Sequence, residues 1–390
     1  METLKNLLKN NMRQYTMLVA LVALMLFFQI ITNGILLVPM NITNLILQNA
    51  YVFILAIGMM ILLIKGGNID LSVGSITAFM GAVSGILIVS NHWLVFPVLL
   101  IDLVVGLLIG CWQGFWVAYV RIPGFIVTLA GMLIFRGLTL YFLKGLTISP
   151  FPNDFQQLAN GFVPDIFGSQ DLNVTALLTG VVLVVAYILF QIRKRAARRK
   201  YNFNLIPLYL FIIQLALVTA AIMLISYWLA SYKGIPVIFL IIAILVMGYS
   251  FFTSMTVPGR YLYASGGNEK AAALSGINVN RVMFFAYVNM AVLATFAGIV
   301  ATARLDAASP VNGLNFEMDA IAACFVGGAS MYGGVGTVTG AIIGALFMGV
   351  LNNGMSIIGL GTDVQQVVKG LVLLLAVAFD IVSKTRAKAA

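Results

Sequence analysis

Charge is what this chain has least of. Asp, Glu, Lys and Arg make up 9% of its 390 residues, against roughly a quarter in soluble domains. With 62% apolar residues besides, a soluble multidomain protein is excluded. Cysteine is as scarce. Cys111 and Cys324 both lie in apolar runs and imply neither a disulfide framework nor a thiolate metal site. The single histidine, His92, stands beside Trp93 in an expected outer turn and lacks the partners a metal site needs. No G-x-x-x-x-G-K-[ST] stretch occurs, so the chain does not cradle ATP by that route. Asp102 is the one carboxylate lying more than a few residues from the end of an apolar run, and no paired carboxylates sit inside one. Proton-driven transporters carry intramembrane acids facing a cavity, so this scarcity counts against one, although backbone carbonyls could still hold sodium. A membrane-embedded enzyme has no nucleophile–base pair or metal set to work with.

Hydrophobic length is what the chain has instead. A membrane span needs about 20 apolar residues. Twelve segments qualify, at 16–37, 45–64, 71–90, 94–119, 123–143, 172–192, 204–230, 236–256, 281–303, 318–334, 336–357 and 363–382. The expected class is therefore an all-α polytopic membrane protein, a single transmembrane domain over 1–390. Lys5, Lys9 and Arg13 precede the first run, and no small-x-small cleavage site follows it, which reads as an uncleaved first span.

Charge orients the spans. With both termini cytoplasmic, the inner side holds 17 of the 22 Lys and Arg residues. These are Lys5, Lys9, Arg13, Lys65, Arg121, six from the run RKRAARRK at 193–200, Arg260, Lys270, Arg281, Lys384, Arg386 and Lys388. Lys144, Lys233 and Arg304 fall outside, and Arg136 and Lys369 within spans. Asp154, Asp165, Asp171, Asp306, Glu317 and Asp319 then lie outside or at the outer edge. The +10 formal charge reflects this bias rather than nucleic acid. RKRAARRK reads as an anchor for anionic lipid head groups, worth about 1 kcal/mol per basic residue near the surface.

Two joints look broken rather than continuous. GGNIDLSVGS at 66–75 joins two spans with almost no polar loop, and GGASMYGGVGTVTG at 327–340 does the same. Each shows Gly-Gly with a further Gly seven positions on (Gly67 to Gly74; Gly327 to Gly334) before a small-residue helix. Glycine-interrupted segments in two halves point to a pathway built from internal repeats. The long outer loop, Lys144 to Asp171, holds either a short surface helix or an irregular cap.

Polar side chains inside spans leave alternatives open. Asp70 and Ser72 are either a substrate-binding pair or a helix cap at the membrane edge. Arg136 either lines the pore or pairs with Asp102 or a carbonyl, and Lys369 is placed to snorkel. Gln48, Asn49, Gln113, Asn289, Asn352, Asn353, Gln365 and Gln366 are interhelical glue or the lining of a path for a neutral, hydroxyl-rich solute, since amides both donate and accept. The candidate pathway set is Gln48, Asn49, Asp70, Ser72, Arg136, Asn289, Asn352 and Asn353.

The stretch Gly259 to Arg281 is one of the few long polar ones. Ser265, Gly266, Gly267 and Asn268 offer a helix start, and Glu269 suits the positive end of the first turn. Ala271, Ala272, Ala273 and Leu274 are strong formers. Gly276 is a natural stop. A helix of about two turns is marginal alone and needs a surface to dock on.

GGNIDLSVGS, GGNEKAAALSGINVNR and LDAASPVNGLNFEMDAIAACFVGGASMYGGVGTVTGAIIGALFMGVLNNG together resemble the permease subunits of bacterial ABC importers for monosaccharides, the ribose, xylose, arabinose and galactose permeases. The resemblance covers nearly the whole chain. Ribose-type permeases have one span where this chain has three around 172–256, so its extra hairpin is similar to the longer xylose and multiple-sugar permeases. The resemblance implies an inner-membrane location in a bacterium, a separate cytoplasmic ATPase holding ATP and Mg, a periplasmic sugar-binding protein and a second permease copy. It implies no cofactor in this chain and no nucleic acid. The loop 258–281 becomes the coupling segment, with Gly267, Asn268, Glu269, Ala271, Ala272, Leu274, Ser275, Gly276 and Ile277 meeting the ATPase. The importers of branched-chain amino acids and the ion-coupled secondary transporters are the other classes these residues leave open.

Overall fold

A computed structural model describes the backbone of residues 2–168, 172–201 and 207–389, and the side chains of 16–168, 172–201 and 207–382. Lys5, Lys9, Arg13, Asp171, Lys384, Arg386 and Lys388 of the charge count lie outside the described side chains. The helices in chain order are α1 (Glu2–Ile31), α2 (Pro39–Gln48), α3 (Ala50–Gly66), α4 (Val73–Ser84), α5 (Val95–Ala118), α6 (Gly124–Leu143), α7 (Asn153–Asn160) and α8 (Val174–Lys200). There follow α9 (Leu208–Ala230), α10 (Val237–Met255), α11 (Val257–Gly267), α12 (Glu269–Leu274), α13 (Val279–Leu305), α14 (Phe316–Val326), α15 (Val338–Ile358) and α16 (Thr362–Ala389). A π-helical turn over Gly85–Ser90 continues α4. The described residues contain two isolated β-bridges and no extended strand.

Among the described residues nine helical stretches are long and apolar enough to cross a membrane, and α2 with α3, bent by 46°, make a tenth. Thr16–Ile31 of α1 is a further, shorter apolar helix. The expected span at 318–334 is not one. Its helix, α14, has 11 residues and rises about 16 Å, half of a hydrocarbon core of roughly 30 Å. The glycines after Val326 end it.

The chain divides into two compact units, one of residues 1–36, 45–160 and 238–390, the other of 37–44 and 161–237. The smaller unit holds the extra hairpin. Asn173 caps α8 by accepting from the Ala176 N–H. α8 and α9 meet at Gly180, where a β-carbon would lie 2.3 Å from Ser226 Oγ. The basic run forms the end of α8, and the Arg195 guanidinium sits 4.7 Å from the Phe211 ring centre.

In the larger unit α13 is the axis, with a nearly continuous buried stretch from Ala286 to Ala303. In lipid an apolar contact gains nothing over a lipid contact, so helices associate where small residues let backbones approach. α5 presents such a stripe, Gly106, Gly110 and Gly114 at intervals of four. β-carbons there would lie 2.0 Å from Thr295 Oγ1, 2.7 Å from the Val288 Cα and 3.0 Å from Phe284. α3 packs on another side through Gly58, against Met290 and Leu293, and is buried from Val52 to Lys65. Over the end of α13 lies α7, with Phe155 fully buried and the Asn160 amide donating to the Ala303 carbonyl at 3.2 Å. The outer loop thus contains a short helix, packed on α13.

Two helices, α4 and the 11-residue α14, start within this core. α4 begins partway along α13, where Thr77 Oγ1 is 3.3 Å from the Ala294 carbonyl. α14 begins beside it, so that a β-carbon on Gly74 would lie 2.2 Å from the Gly313 carbonyl oxygen, and one on Gly313 would lie 2.1 Å from that of Gly74. α14, of 11 residues, precedes the second glycine stretch, whereas α4 with its π-helical turn runs 18 residues. The helix that follows that stretch, α15, has 21 residues.

Candidate functional site

Two features stand apart from ordinary helix packing: the polar segment around α12, and the place where α4 and α14 begin.

α12 forms as its residues dictate, but it is shorter than expected. Asn268 is its N-cap, accepting from the Ala271 N–H at 3.0 Å, and Glu269 occupies the first turn. Its end is a Schellman motif. The Gly276 N–H donates to Ala273 at 3.0 Å, the Ile277 N–H to Ala272 at 3.1 Å, and Gly276 has φ 85°. Ser275 donates its hydroxyl to the Ala271 carbonyl. Ser265, Gly266 and Gly267 do not start this helix. They close the preceding α11, whose own cap is Thr256, and Ser265 and Gly266 are buried there. The helix has two faces. Ala272 is 5% exposed, whereas Leu274 is 91% exposed, a large apolar side chain held fully outward.

Beneath α12 three backbones meet without side chains between them. A β-carbon on Gly266 would lie 1.7 Å from the Ile64 carbonyl oxygen and 2.8 Å from the Gly334 nitrogen. The Gly334 N–H donates to that same Ile64 oxygen at 2.8 Å. A β-carbon on Gly333 would lie 2.5 Å from the Gly66 Cα. Tyr263 of α11 donates to the Gly336 carbonyl at 2.8 Å. Burial pushes its phenol above the ordinary tyrosine value, which keeps it a donor. Lys65, whose side chain is fully buried, reaches Glu269 at 3.5 Å. The two glycine-broken joints therefore pack on one another, α11 rests on both, and α12 is tied to the end of α3 through Lys65.

Where α4 and α14 begin, the polar residues form chains. Asp70 and Ser72 are fully buried. Asp70 Oδ1 accepts from the Ser72 N–H at 2.8 Å and from its hydroxyl at 2.6 Å. Ser72 precedes α4 but makes no side-chain capping bond. Its oxygen accepts instead from Gln113 Nε2 at 2.7 Å. Gln113 thus belongs with the Asp70–Ser72 pair. Its polarity inside an apolar run was the signal in the sequence, but not its partner.

Arg136 bonds two carbonyls, Pro310 at 2.8 Å and Asn312 at 2.9 Å. It does not meet Asp102, which accepts from Ser84 at 2.6 Å. Arg136 so fixes the loop that delivers α14. Lys369 does not snorkel. Its ammonium lies 3.0 and 3.1 Å from the two oxygens of Asp319, which is 1% exposed and also accepts from Tyr51 at 2.9 Å. The Tyr51 ring stacks on Phe316, centres 3.6 Å apart. Asp319 is therefore a buried ion-pair partner, not a solvated outer-edge acid.

The remaining candidates scatter. Asn49 occupies the bend between α2 and α3, its amide donating to Leu45 at 2.9 Å, and Gln48 beside it is exposed. Asn289 accepts from Tyr249. Asn352 and Asn353 lie on α15, Asn353 at 4% exposure. Among the described residues no cluster of His, Cys, Asp and Glu could hold a metal.

Comparison with known proteins adds a family. Residues 41–377 match the model described as branched-chain amino acid transport system, permease component. The chain is 40% identical over 380 residues to the xylose transport system permease protein XylH of Escherichia coli (strain K12), covering 96% of this chain and 93% of that one. Its counterpart from Haemophilus influenzae is 39% identical, covering 96% and 98%. The ribose import permease protein RbsC of Haemophilus influenzae is 34% identical over 340 residues, covering 87% and 84%. No solved structure matches.

Proposed function

This chain belongs to the family of permease components of branched-chain amino acid transport systems, and on that premise we propose that it is the membrane permease of an ATP-driven, binding-protein-dependent importer of a monosaccharide, with a pentose as cargo. The cargo reading rests on the xylose permeases, matched nearly end to end. The protein is a multi-pass one and its place is a bacterial inner membrane. It performs no hydrolysis itself. ATP and Mg bind a separate cytoplasmic subunit, a periplasmic protein delivers the sugar, and two permease copies form the path.

The observation that carries the mechanism is α12, a capped helix that turns Leu274 outward at 91% exposure, while Gly266 of the preceding α11 presses on Ile64 and Gly334. In this reading Leu274 and its neighbours dock on the ATP-hydrolysing subunit. Closure of that subunit shifts α11 and α12. The backbone junction hands the shift to α3 and to the loop that ends α14, with no flexible side chain to absorb it. α4 and α14 then move against each other at Gly74 and Gly313. This is a population shift driven by differential binding to two states.

The test is reconstitution of the permease with the ATP-hydrolysing and sugar-binding proteins encoded beside it. ATP-dependent uptake of labelled xylose or another pentose supports the reading. Uptake of leucine but no sugar assigns the amino acid cargo that the family description names. Uptake without any ATPase contradicts the importer class.

A further inference from the structure

Beside α12 the protein has an open groove of about 310 Å³. The apolar part of its floor is Ala273, Ile277 and Val279, and Asn278 and Asn280 line it as well. Its rim carries two exposed cations, Lys270 from α12 and Arg121 from the turn between α5 and α6. Glu269 also lines it, but faces Lys65. Among the described residues neither Arg121 nor Lys270 has an ion-pair partner. Arg121 holds its place with φ 65°, a left-handed backbone that a non-glycine residue adopts at a cost. Such outliers gather at ligand clamps and switch regions. The groove is thus a cationic rim on a part-apolar floor, continuous with the helix that turns Leu274 outward.

We infer that this groove receives an acidic side chain flanked by apolar residues on the importer's ATP-hydrolysing subunit. The inference rests on the importer reading above and deepens it: the permease grips its partner through two segments, α12 and the α5–α6 turn. An anionic lipid head group would also satisfy the two cations. It has no use for the apolar floor, and the floor adjoins Leu274, which points away from the bundle. Arg121 sets register and on-rate, as rim charges do, while Leu274 supplies the apolar anchor.

The experiment measures binding of the purified ATP-hydrolysing subunit to the permease in nanodiscs of zwitterionic lipid, at low and high salt. Arg121→Glu is expected to weaken binding by about tenfold or more at low salt, with the gap narrowing at high salt. Arg121→Lys should stay near wild type, since it keeps the charge and the same backbone demand. Lys270→Glu carries the test if Arg121→Glu does not fold. Equal binding by wild type and both Glu variants overturns the inference while leaving the importer reading intact. So does loss that appears only when anionic lipid is added, which assigns the groove to lipid. No binding by the wild type overturns the importer reading itself.

Discussion

The α-carbon of Gly266 lies against the carbonyl oxygen of Ile64 so closely that a β-carbon would come to 1.7 Å from that oxygen. That oxygen also accepts from the Gly334 N–H at 2.8 Å. One carbonyl at the end of α3 thus holds both the helix that leads to α12 and the loop that follows α14.

Gly266→Ala forces these backbones apart, because the obstacle is a carbonyl and no side chain can swing away. Its neighbour Gly267 has nothing within 4 Å of a β-carbon, so Gly267→Ala is the matched control. In the reconstituted system Gly266→Ala is expected to lose most ATP-driven uptake and Gly267→Ala to keep it. Thermal melts in detergent should show Gly266→Ala destabilised by about 1–3 kcal/mol, in the range for overpacking.

Leu274→Asp changes a side chain 91% exposed, so the melt should move by no more than about 0.5 kcal/mol. Docking of the ATPase should be lost. Ala272→Asp, which the polar sequence around it makes look equally harmless, is not a clean test. Ala272 is 5% exposed, and an Asp there buries an unpaired charge.

Lys369→Ala strands Asp319 without its counter-ion. Removing one member of a buried pair typically costs about 3–5 kcal/mol, and that fall should appear in the melt. The double change Lys369→Met with Asp319→Asn should recover much of it, since no charge is left unpaired. An additive double mutant would argue that the pair does not interact.

Asp70→Ala removes the acceptor for two Ser72 donors and leaves buried groups unsatisfied, at about 1–3 kcal/mol. Asp70→Asn keeps an acceptor oxygen and should cost less. The ratio of the two losses, read from melts, separates hydrogen bonding at the start of α4 from a need for charge.

Much of this was legible in the sequence, and the misses have physical causes. Helix class follows from apolar length, and the α12 cap and stop follow from Asn268 and Gly276 by local rules. Lys65 and Glu269, both expected on the inner side, do meet. Span counting failed at α14 because hydropathy cannot tell a full crossing from a loop that dives into protein and returns as half a helix. Asp319 read as an edge acid because its counter-charge lies fifty residues on, at Lys369. The stripe Gly106, Gly110 and Gly114 was visible as spacing, but only the fold shows α13 lying in it.

The most direct test is a cross-link. Cys324 is buried and Cys111 partly so, so a background with Cys111→Ser allows one thiol to be placed on α12. Leu274→Cys, treated with a short bifunctional thiol reagent in the presence of the ATP-hydrolysing subunit carrying surface cysteines in its docking groove, should join the two chains, with a yield that changes when ATP is added. No cross-link from Leu274→Cys, with efficient joining from a cysteine at Tyr332 instead, would contradict α12 as the handle by which the permease is worked.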